Sequence, residues 1–158
     1  MIGAEKRRGE ASEYVEYAQA LGYVCHLASR TTRYALAPMA LLPMWIEPAI
    51  WLGQICFLFD GRGQPVAYFT YAYLTKEVEN RLLSDPRVTF HISEWKEGDR
   101  VWIMDMVAMP GRLRETLSLA AAEFSDLGQV AYLRRGVDGQ IKKVVRIVRS
   151  GDGLHLQR

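Results

Sequence analysis

Residues 101–109 (VWIMDMVAM) constrain the fold more than any other part of the chain. Four apolar residues stand on each side of Asp105, and the run contains neither glycine nor proline. A run of this length and composition predicts a β-strand. Because the apolarity is nearly unbroken, the strand should be covered on both faces. The chain must therefore form a sheet with other elements packed against both of its sides.

The composition is that of a folded globular protein. The chain has 158 residues, of which 49% are hydrophobic and 24% charged, and this excludes a disordered or collagen-like chain. The length predicts a single domain over residues 1–158. A formal net charge of +2 is too balanced for a protein whose main partner is nucleic acid.

The most apolar stretch is the 19-residue segment Tyr34–Leu52, which has the length of a membrane span. Three prolines interrupt it at intervals of five residues: Pro38, Pro43 and Pro48. It also contains a carboxylate, Glu47. Prolines break helical hydrogen bonding and a carboxylate is unfavourable in lipid, so we expect a broken, buried helical segment. Its Met side chains, with Trp45 and Trp51, suit either an acyl-chain slot or a contact between two copies in a homodimer.

The remaining elements follow from periodicity, caps and turns. We expect a flexible charged tail at 1–10, then a helix at 11–21. A hairpin of strands 54–60 and 65–73 comes later and is followed by a helix that is capped by Thr75 and stops near Asp85-Pro86. After the 101–109 strand we expect a helix that follows Pro110-Gly111, and then two closing strands in 129–149 that turn at 137–139. The order α, broken α, β, β, α, β, α, β, β predicts an α/β (α+β) fold. Its mixed, mainly antiparallel sheet would be flanked by helices.

Asp105 needs a chemical explanation because burying an unpaired carboxylate is costly. Strand alternation places it on one face with Val101, Ile103, Val107 and Met109. A raised pKa or a hydrogen-bonded partner would relieve the cost, and either suits a general base or an orienting acid. The alternative is a structural carboxylate paired with an arginine.

Two basic features could bind anions. Gly111, Arg112 and Arg114 stand at the start of a helix, where free N–H groups attract phosphate, although many such junctions bind nothing. Residues 130–150 carry six Lys and Arg against one Asp, a concentration that suits an acidic protein partner or simply a protected sheet edge. The cations singled out as partner contacts are Arg134, Arg135, Lys142 and Lys143.

No metal centre or disulfide framework is predicted. Cys25 and Cys56 lie in apolar surroundings, typical of buried free thiols in a reducing compartment. The three histidines have no metal-ligand spacing. The charged N-terminal residues do not form a secretory signal, so we expect a cytoplasmic protein.

Several short blocks together resemble the RTX-toxin-activating lysine acyltransferases of the haemolysin-activating type. They are Leu21-Gly22, Pro48-Ala49-Ile50, Pro65-Val66-Ala67-Tyr68 with Ala72 and Leu74, Trp95, and Gly98-Asp99-Arg100-x-Trp102-Ile103-x-Asp105 with Ala108 and Gly111. The resemblance covers roughly residues 21–149. The Gly-Asp-Arg…Asp and Pro-Val-Ala-Tyr blocks at this spacing are its most specific part.

The resemblance implies a fold similar to the GCN5-related N-acetyltransferases. It further implies transfer of a fatty acyl group from acyl carrier protein to internal lysines of an RTX-type protoxin. The donor would be the acyl-phosphopantetheine thioester of the carrier, with no permanently bound cofactor. Asp105 matches the catalytic Asp of the family. Gly111, Arg112 and Arg114 become candidate donor contacts, and the basic closing strands become candidate carrier contacts.

The chain departs from the family at its catalytic His. Ungapped counting from Leu21-Gly22 and from Pro48-Ala49-Ile50 places that position on Tyr34, with Thr31 and Ala35 at the flanking Ser and Arg. Tyrosine, with a pKa near 10, is a poor base at pH 7. In an active enzyme, Asp105 would receive the lysine proton, while Tyr34 and Thr31 would orient the thioester or protonate the departing thiolate. Otherwise the chain binds the carrier or a toxin-like partner without transfer.

A third interpretation is an acetyl-CoA-dependent N-acetyltransferase. The phosphate loop typical of those enzymes, Gln/Arg-x-x-Gly-x-Gly/Ala, is missing after the 101–109 strand, where the sequence reads PGRLR. This interpretation therefore ranks below the other two.

Overall fold

Six strands form one sheet whose spatial order is their order along the chain. The computed structural model describes residues 2–85, 87–136, 140–150 and 153–157. Its elements are α1 (Ile2–Ala28), α2 (Leu42–Trp45), α3 (Glu47–Trp51), β1 (Ile55–Phe59), β2 (Pro65–Leu74), α4 (Lys76–Ser84), β3 (Arg100–Ala108), α5 (Leu113–Glu123), β4 (Gln129–Arg135), β5 (Ile141–Ser150) and β6 (Gly153–Gln157). Two 3-10 turns, Met39–Leu41 and Ile92–Trp95, complete it.

The sheet is mixed and mainly antiparallel, which confirms the prediction. β3 and β4 are parallel and are joined by α5, whereas the other neighbouring strands are antiparallel. The closing strands appear as β4 and β5, and their predicted turn at 137–139 lies outside the described residues. β6 was not predicted from the sequence.

Local signals place most element boundaries correctly. The Thr75 hydroxyl accepts a hydrogen bond from the Val78 N–H at the start of α4, as an N-cap should. In the β1–β2 turn, the Asp60 carboxylate accepts from the N–H groups of Arg62 and Gln64. The first helix is longer than predicted and begins at Ile2; the flexibility of residues 1–10 stays a prediction. α4 ends at Ser84, as predicted.

The proline-rich apolar segment is broken as predicted, but within it only Ile46, Pro48 and Ala49 are buried. A proline stands at the start of each short helical piece, where its missing N–H is tolerated. Ile46 and Ala49 are fully buried, whereas Leu36 and Met39 are 94% and 75% exposed. The expectation of a wholly buried segment was therefore wrong. No described helix has the length and apolarity that crossing a membrane requires.

A β-bulge interrupts β3 next to Asp105. Ile103 pairs with Tyr71 and Asp105 pairs with Thr70, so Met104 is the extra residue in the ladder. An extra residue shifts the alternation of the strand by one position. Every side chain after the bulge therefore faces the side opposite to the one that simple alternation predicts.

This shift corrects the predicted face of Asp105. Val101 and Ile103 pack on the side of the sheet covered by α5. Val107 and Met109 pack on the opposite side, with α1 and the segment of α2 and α3. Asp105 lies on the side of Val107. The prediction was right for Val107 and Met109 and wrong for Val101 and Ile103, because alternation assumes a strand without an extra residue.

Candidate active site

A large cavity begins where β3 and β4 stop pairing. In the described strands, the parallel register covers Val101 to Ile103 against Val130 to Tyr132. Both strands then continue, and their later residues line a cavity of about 1420 Å³: Asp105, Met106 and Ala108 from β3, and Leu133, Arg134 and Arg135 from β4. The cleft between the two strands is therefore the point where a ligand can enter the sheet.

The rest of the lining is mostly apolar. α5 contributes one wall through Leu113, Leu117, Ala120 and Ala121. The other wall includes Leu41, Met44, Trp45, Leu82, Val88, Phe90, Trp95 and Met104. Trp51 is absent from this lining and stacks instead on Tyr17 of α1, with ring centroids 4.4 Å apart. Of the two tryptophans considered for an acyl slot, the cavity includes Trp45 alone.

Asp105 is held by two tyrosine hydroxyls. It is 5% exposed. Tyr34 donates to its Oδ1 at 2.5 Å, and Tyr68 donates to its Oδ2 at 2.8 Å. Neutral hydroxyls therefore bind the Asp105 carboxylate. Among the described residues, Asp105 forms no ion pair with an arginine, which was the alternative.

Tyr34 reaches Asp105 from the turns that follow α1. Its backbone N–H donates to the Thr31 carbonyl at 3.1 Å. Its ring packs on Trp45 at a centroid distance of 4.4 Å, and the guanidinium of Arg33 lies 5.0 Å from the ring centroid. These contacts fix a residue 71 positions away from Asp105 against that carboxylate.

Burial dominates the electrostatics of this cluster. It raises the pKa of Asp105, while the hydrogen bonds from Tyr34 and Tyr68 and the positive charge of Arg33 oppose the rise. Burial and the neighbouring carboxylate raise the pKa of both tyrosines above the ordinary value. Both hydroxyls therefore keep their protons at neutral pH and act as donors.

The remaining predicted residues lie at different distances from this cluster. The Thr31 hydroxyl donates to the Ala28 carbonyl at 2.9 Å, so it is engaged at the end of α1. Gly111 lines the cavity at a φ of +83°, a conformation that favours glycine. Arg112 contacts both carboxylate oxygens of Glu115, and Arg114 is exposed on α5.

The four predicted partner contacts separate into two pairs. Arg134 and Arg135 line the cavity, and burial together with Arg33 lowers the pKa of Arg135. Lys142 and Lys143 lie on β5, where Lys143 stands opposite Arg134, and neither lines the cavity. All four therefore lie near one end of the β4–β5 pair.

The sequence did not predict the roles of two buried polar residues, Tyr68 and Glu79. Tyr68 belongs to the Pro-Val-Ala-Tyr block, but no local signal connects it to Asp105. Glu79 lies in the first turn of α4, where the sequence alone indicates no partner for it. It is buried, accepts a hydrogen bond from the Trp102 indole, and forms ion pairs with Arg100 and Arg146. It thereby ties α4 to β3 and β5.

No metal centre occurs in the described part of the chain, where no group of His, Cys, Asp and Glu could hold an ion. Cys25 and Cys56 are free thiols and are half-buried rather than buried.

Comparison with known proteins gives consistent matches. The model of the RTX toxin acyltransferase family (HlyC) matches residues 13–149. The chain is 32% identical over 110 residues to the lysine-acyltransferase RtxC of Vibrio cholerae, covering 66% of this chain and 71% of that protein. It is 35% identical over 130 residues to the RTX-II toxin-activating lysine-acyltransferase ApxIIC of Actinobacillus pleuropneumoniae, covering 73% and 80%.

A third relative is the protein-lysine myristoyltransferase HlyC of Escherichia coli, 29% identical over 129 residues. That alignment covers 80% of this chain and 66% of the relative. The residues matched by the family model include Tyr34, Tyr68 and Asp105.

Proposed function

The chain belongs to the RTX toxin acyltransferase family, and on that basis we propose that it transfers a fatty acyl group from acyl carrier protein to internal lysines of an RTX-type protoxin in the cytoplasm. The observation that carries the proposal is the Tyr34–Asp105 contact beside the cleft between β3 and β4. It combines a proton acceptor, a hydroxyl donor and an entry for a substrate.

The cleft suits the phosphopantetheine arm of a carrier protein. Past Ile103 and Tyr132, the two strands no longer satisfy each other's backbone groups. An extended ligand with amide groups can pair with such free strand edges, as peptides do when they add to a sheet. A split parallel pair with a bulge also supports a fold similar to the GCN5-related N-acetyltransferases.

The apolar lining supports a fatty acyl chain as the transferred group. The side chains of α5 on one wall and of Met44, Trp45 and Met104 on the other offer no charge to an alkyl chain. Each methylene buried in such a lining contributes about 0.8 kcal/mol. A long chain would therefore be favoured strongly over acetyl.

The charges around the cleft support an anionic carrier. Gly111 lies at the edge of the cavity, two residues before the start of α5, where Arg112 and Arg114 could contact the phosphate of the arm. Arg134, Arg135, Lys142 and Lys143 would contact the acidic surface of the carrier. Glu115 already neutralises part of the Arg112 charge, so we assign Arg112 the weaker role.

In the reaction, the neutral lysine nitrogen bonds to the thioester carbon and the carbon–sulfur bond breaks. The proton leaving the nitrogen passes to Asp105 and then to the thiolate sulfur, so charge and atoms balance. Tyr34 donates its single O–H to Asp105 and so holds in place the carboxylate that accepts the proton. Thr31 acts indirectly, because its hydroxyl is engaged at the end of α1.

The test is incubation of the protein with acyl carrier protein bearing a labelled myristoyl group and an RTX protoxin. Label on protoxin lysines is expected with the carrier-bound donor. Carrier binding without label would mean that the chain is a binding module. Equal labelling from acetyl-CoA without carrier would instead indicate an N-acetyltransferase.

A further inference from the structure

Tyr68 contacts the reactive carboxylate from inside the protein. It lies on β2, is 0% exposed, and donates to Asp105 Oδ2 at 2.8 Å. Neither Tyr68 nor Tyr34 is among the residues that line the cavity, but Tyr34 is only partly buried, whereas Tyr68 has no exposed surface. Tyr68 cannot touch a substrate, so any part that it takes in the reaction acts through Asp105.

The hydroxyl is not needed for packing. The Tyr68 ring belongs to a core cluster with Val24, Leu27 and Val107, and it contacts Phe57 at a centroid distance of 6.3 Å. Phenylalanine would fill the same volume. A buried tyrosine hydroxyl requires a partner, and here the partner is Asp105, the one carboxylate among the described residues that line the cavity.

The two tyrosines approach Asp105 from separate elements. Tyr34 follows α1 and reaches Oδ1, while Tyr68 is on the neighbouring strand and reaches Oδ2. Two donors on the two oxygens fix both the position and the plane of a carboxylate. This matters because reaction rates fall steeply when a reacting group is misplaced by about 1 Å.

Resting on the proposed function, we infer that Tyr68 is a positioning residue: its hydroxyl holds the Asp105 carboxylate towards the cleft and stabilises its charged, proton-accepting form. The other groups that face Asp105 are the Tyr34 hydroxyl, the Arg33 charge and the backbone N–H of Met106. Arg135 of β4 lies beside Tyr34 and Arg33. The hydroxyl that donates to Oδ2 is that of Tyr68.

The variant that isolates the hydroxyl is Tyr68→Phe. Its matched control is Tyr71→Phe, because Tyr71 lies on the same strand, is 7% exposed, and donates to a different carboxylate, Glu123. Both variants remove one buried hydroxyl and keep the ring. A difference between them therefore reports the contact with Asp105.

The first measurement is the pH titration of the Asp105 carboxyl by NMR in protein labelled with ¹³C at aspartate, with Asp105→Asn to assign the signal. Loss of a donor disfavours the carboxylate, so Tyr68→Phe should raise the midpoint by about one pH unit or more. Tyr71→Phe should leave it unchanged. If the titration midpoint of Asp105 is unchanged in a folded Tyr68→Phe variant, the inference is overturned, regardless of the acyl-transfer activity of that variant.

The second measurement is transfer from myristoyl carrier protein to a protoxin. Hydrogen bonds to charged groups are stronger than neutral ones, so we expect kcat to fall about ten- to hundredfold in Tyr68→Phe, with KM for the carrier unchanged. The acidic limb of the pH–rate profile should move to higher pH. Wild-type kcat at every pH would refute the positioning role.

The two measurements can disagree. If the protein transfers no acyl group, the proposed function is contradicted. If the titration midpoint of Asp105 still moves in Tyr68→Phe, the hydrogen bond from Tyr68 to the carboxylate is supported. Adding Tyr68→Phe to Asp105→Asn completes a double-mutant cycle. Comparing the free energies of unfolding in this cycle distinguishes loss of the Tyr68–Asp105 hydrogen bond from a general loss of stability. We expect the hydroxyl to contribute less to stability in the Asn background than in the wild type. Equal contributions would overturn the inference.

Discussion

At the scale of single residues, the main feature is a carboxylate satisfied by hydroxyls beside a cavity. Asp105 accepts from Tyr34 and Tyr68, and burial raises its pKa. A raised pKa brings a carboxylate closer to the range in which it can accept and return a proton near neutrality. The position where the family has a catalytic His is expected to fall on Tyr34, so the roles of Asp105 and Tyr34 need separate tests.

Asp105→Asn should reduce the rate of acyl transfer by about 10²–10⁴-fold, the usual contribution of a general base. Asparagine keeps the size of the side chain but cannot accept the proton. The rate is measured with labelled myristoyl carrier protein, and binding of the carrier serves as the control. Full activity in a folded Asp105→Asn variant would remove this residue from the chemistry.

Tyr34→His is expected to preserve or raise transfer, because histidine titrates near neutrality and can act as a base. Tyr34→Phe, which lacks both base and donor, is the matched control and should lower the rate. Comparison of kcat for the two variants checks the assignment. A His variant as inactive as the Phe variant would argue against Tyr34 as the residue in the catalytic position.

At the scale of elements, β3 is the strand that organises the site. Its start is fixed by Gly98, whose N–H donates to the Tyr73 carbonyl at 2.9 Å, and by Arg100, which pairs with the buried Glu79. Its bulge at Met104 then turns Asp105 to the side of Tyr68. The apolar run identified the strand correctly, but nothing local in that run marked the bulge.

Gly98→Ala should destabilise the protein by about 3 kcal/mol, the upper end of the usual range for overpacking a close-packed site. A Cβ at this position would lie 1.8 Å from the Leu74 carbonyl carbon, and that carbon belongs to the backbone, which cannot move aside easily. Urea unfolding measures the change. Gly61→Ala, with open space around its Cβ, is the control and should differ little from wild type.

At the scale of the whole molecule, the sheet separates into two parts around the cleft. β1, β2 and β3 carry Asp105 and Tyr68, and β4 and β5 carry the basic residues. The two parts meet through three paired residues of β3 and β4 and through α5. This arrangement places the proposed chemistry and the proposed carrier contacts on opposite sides of one opening.

The raised pKa of Asp105 predicts how stability depends on pH. In the unfolded chain this carboxyl titrates near its ordinary value of 3.8, whereas in the folded protein it keeps its proton to higher pH. Folded protein therefore binds more protons in the window that begins near pH 4, and its stability falls as pH rises through that window. Urea unfolding at several pH values should show this loss in wild type relative to Asp105→Asn, whereas a constant difference would contradict it.

Reversing the two lysines of β5, Lys142→Glu with Lys143→Glu, should weaken binding of acyl carrier protein about tenfold, because an acidic partner would then meet like charges. Neither lysine lines the cavity, so the transfer rate at saturating carrier should change little. Lys96→Glu, an exposed cation elsewhere, is the control. Binding measured at low and high salt should show a weaker salt dependence in the double variant.

Most elements up to β5 could be predicted from the chain alone because their causes are local. Neighbouring residues determine the Thr75 cap, the turn between β1 and β2, the breaks at the three prolines and the strand at 101–109. The resemblance to the family also identified Asp105 and Tyr34 as partners in one site. The fold brings their side chains to hydrogen-bonding distance.

Tertiary pairing decided the rest. The face of Asp105 depends on a bulge that exists only in register with β2, and its second donor, Tyr68, is 37 residues away. The cavity lies where β3 and β4 stop pairing after three residue pairs, and the sequence of neither strand marks that point. Contacts between distant segments have no periodic signature in a single sequence, so these features became visible only once the chain was folded.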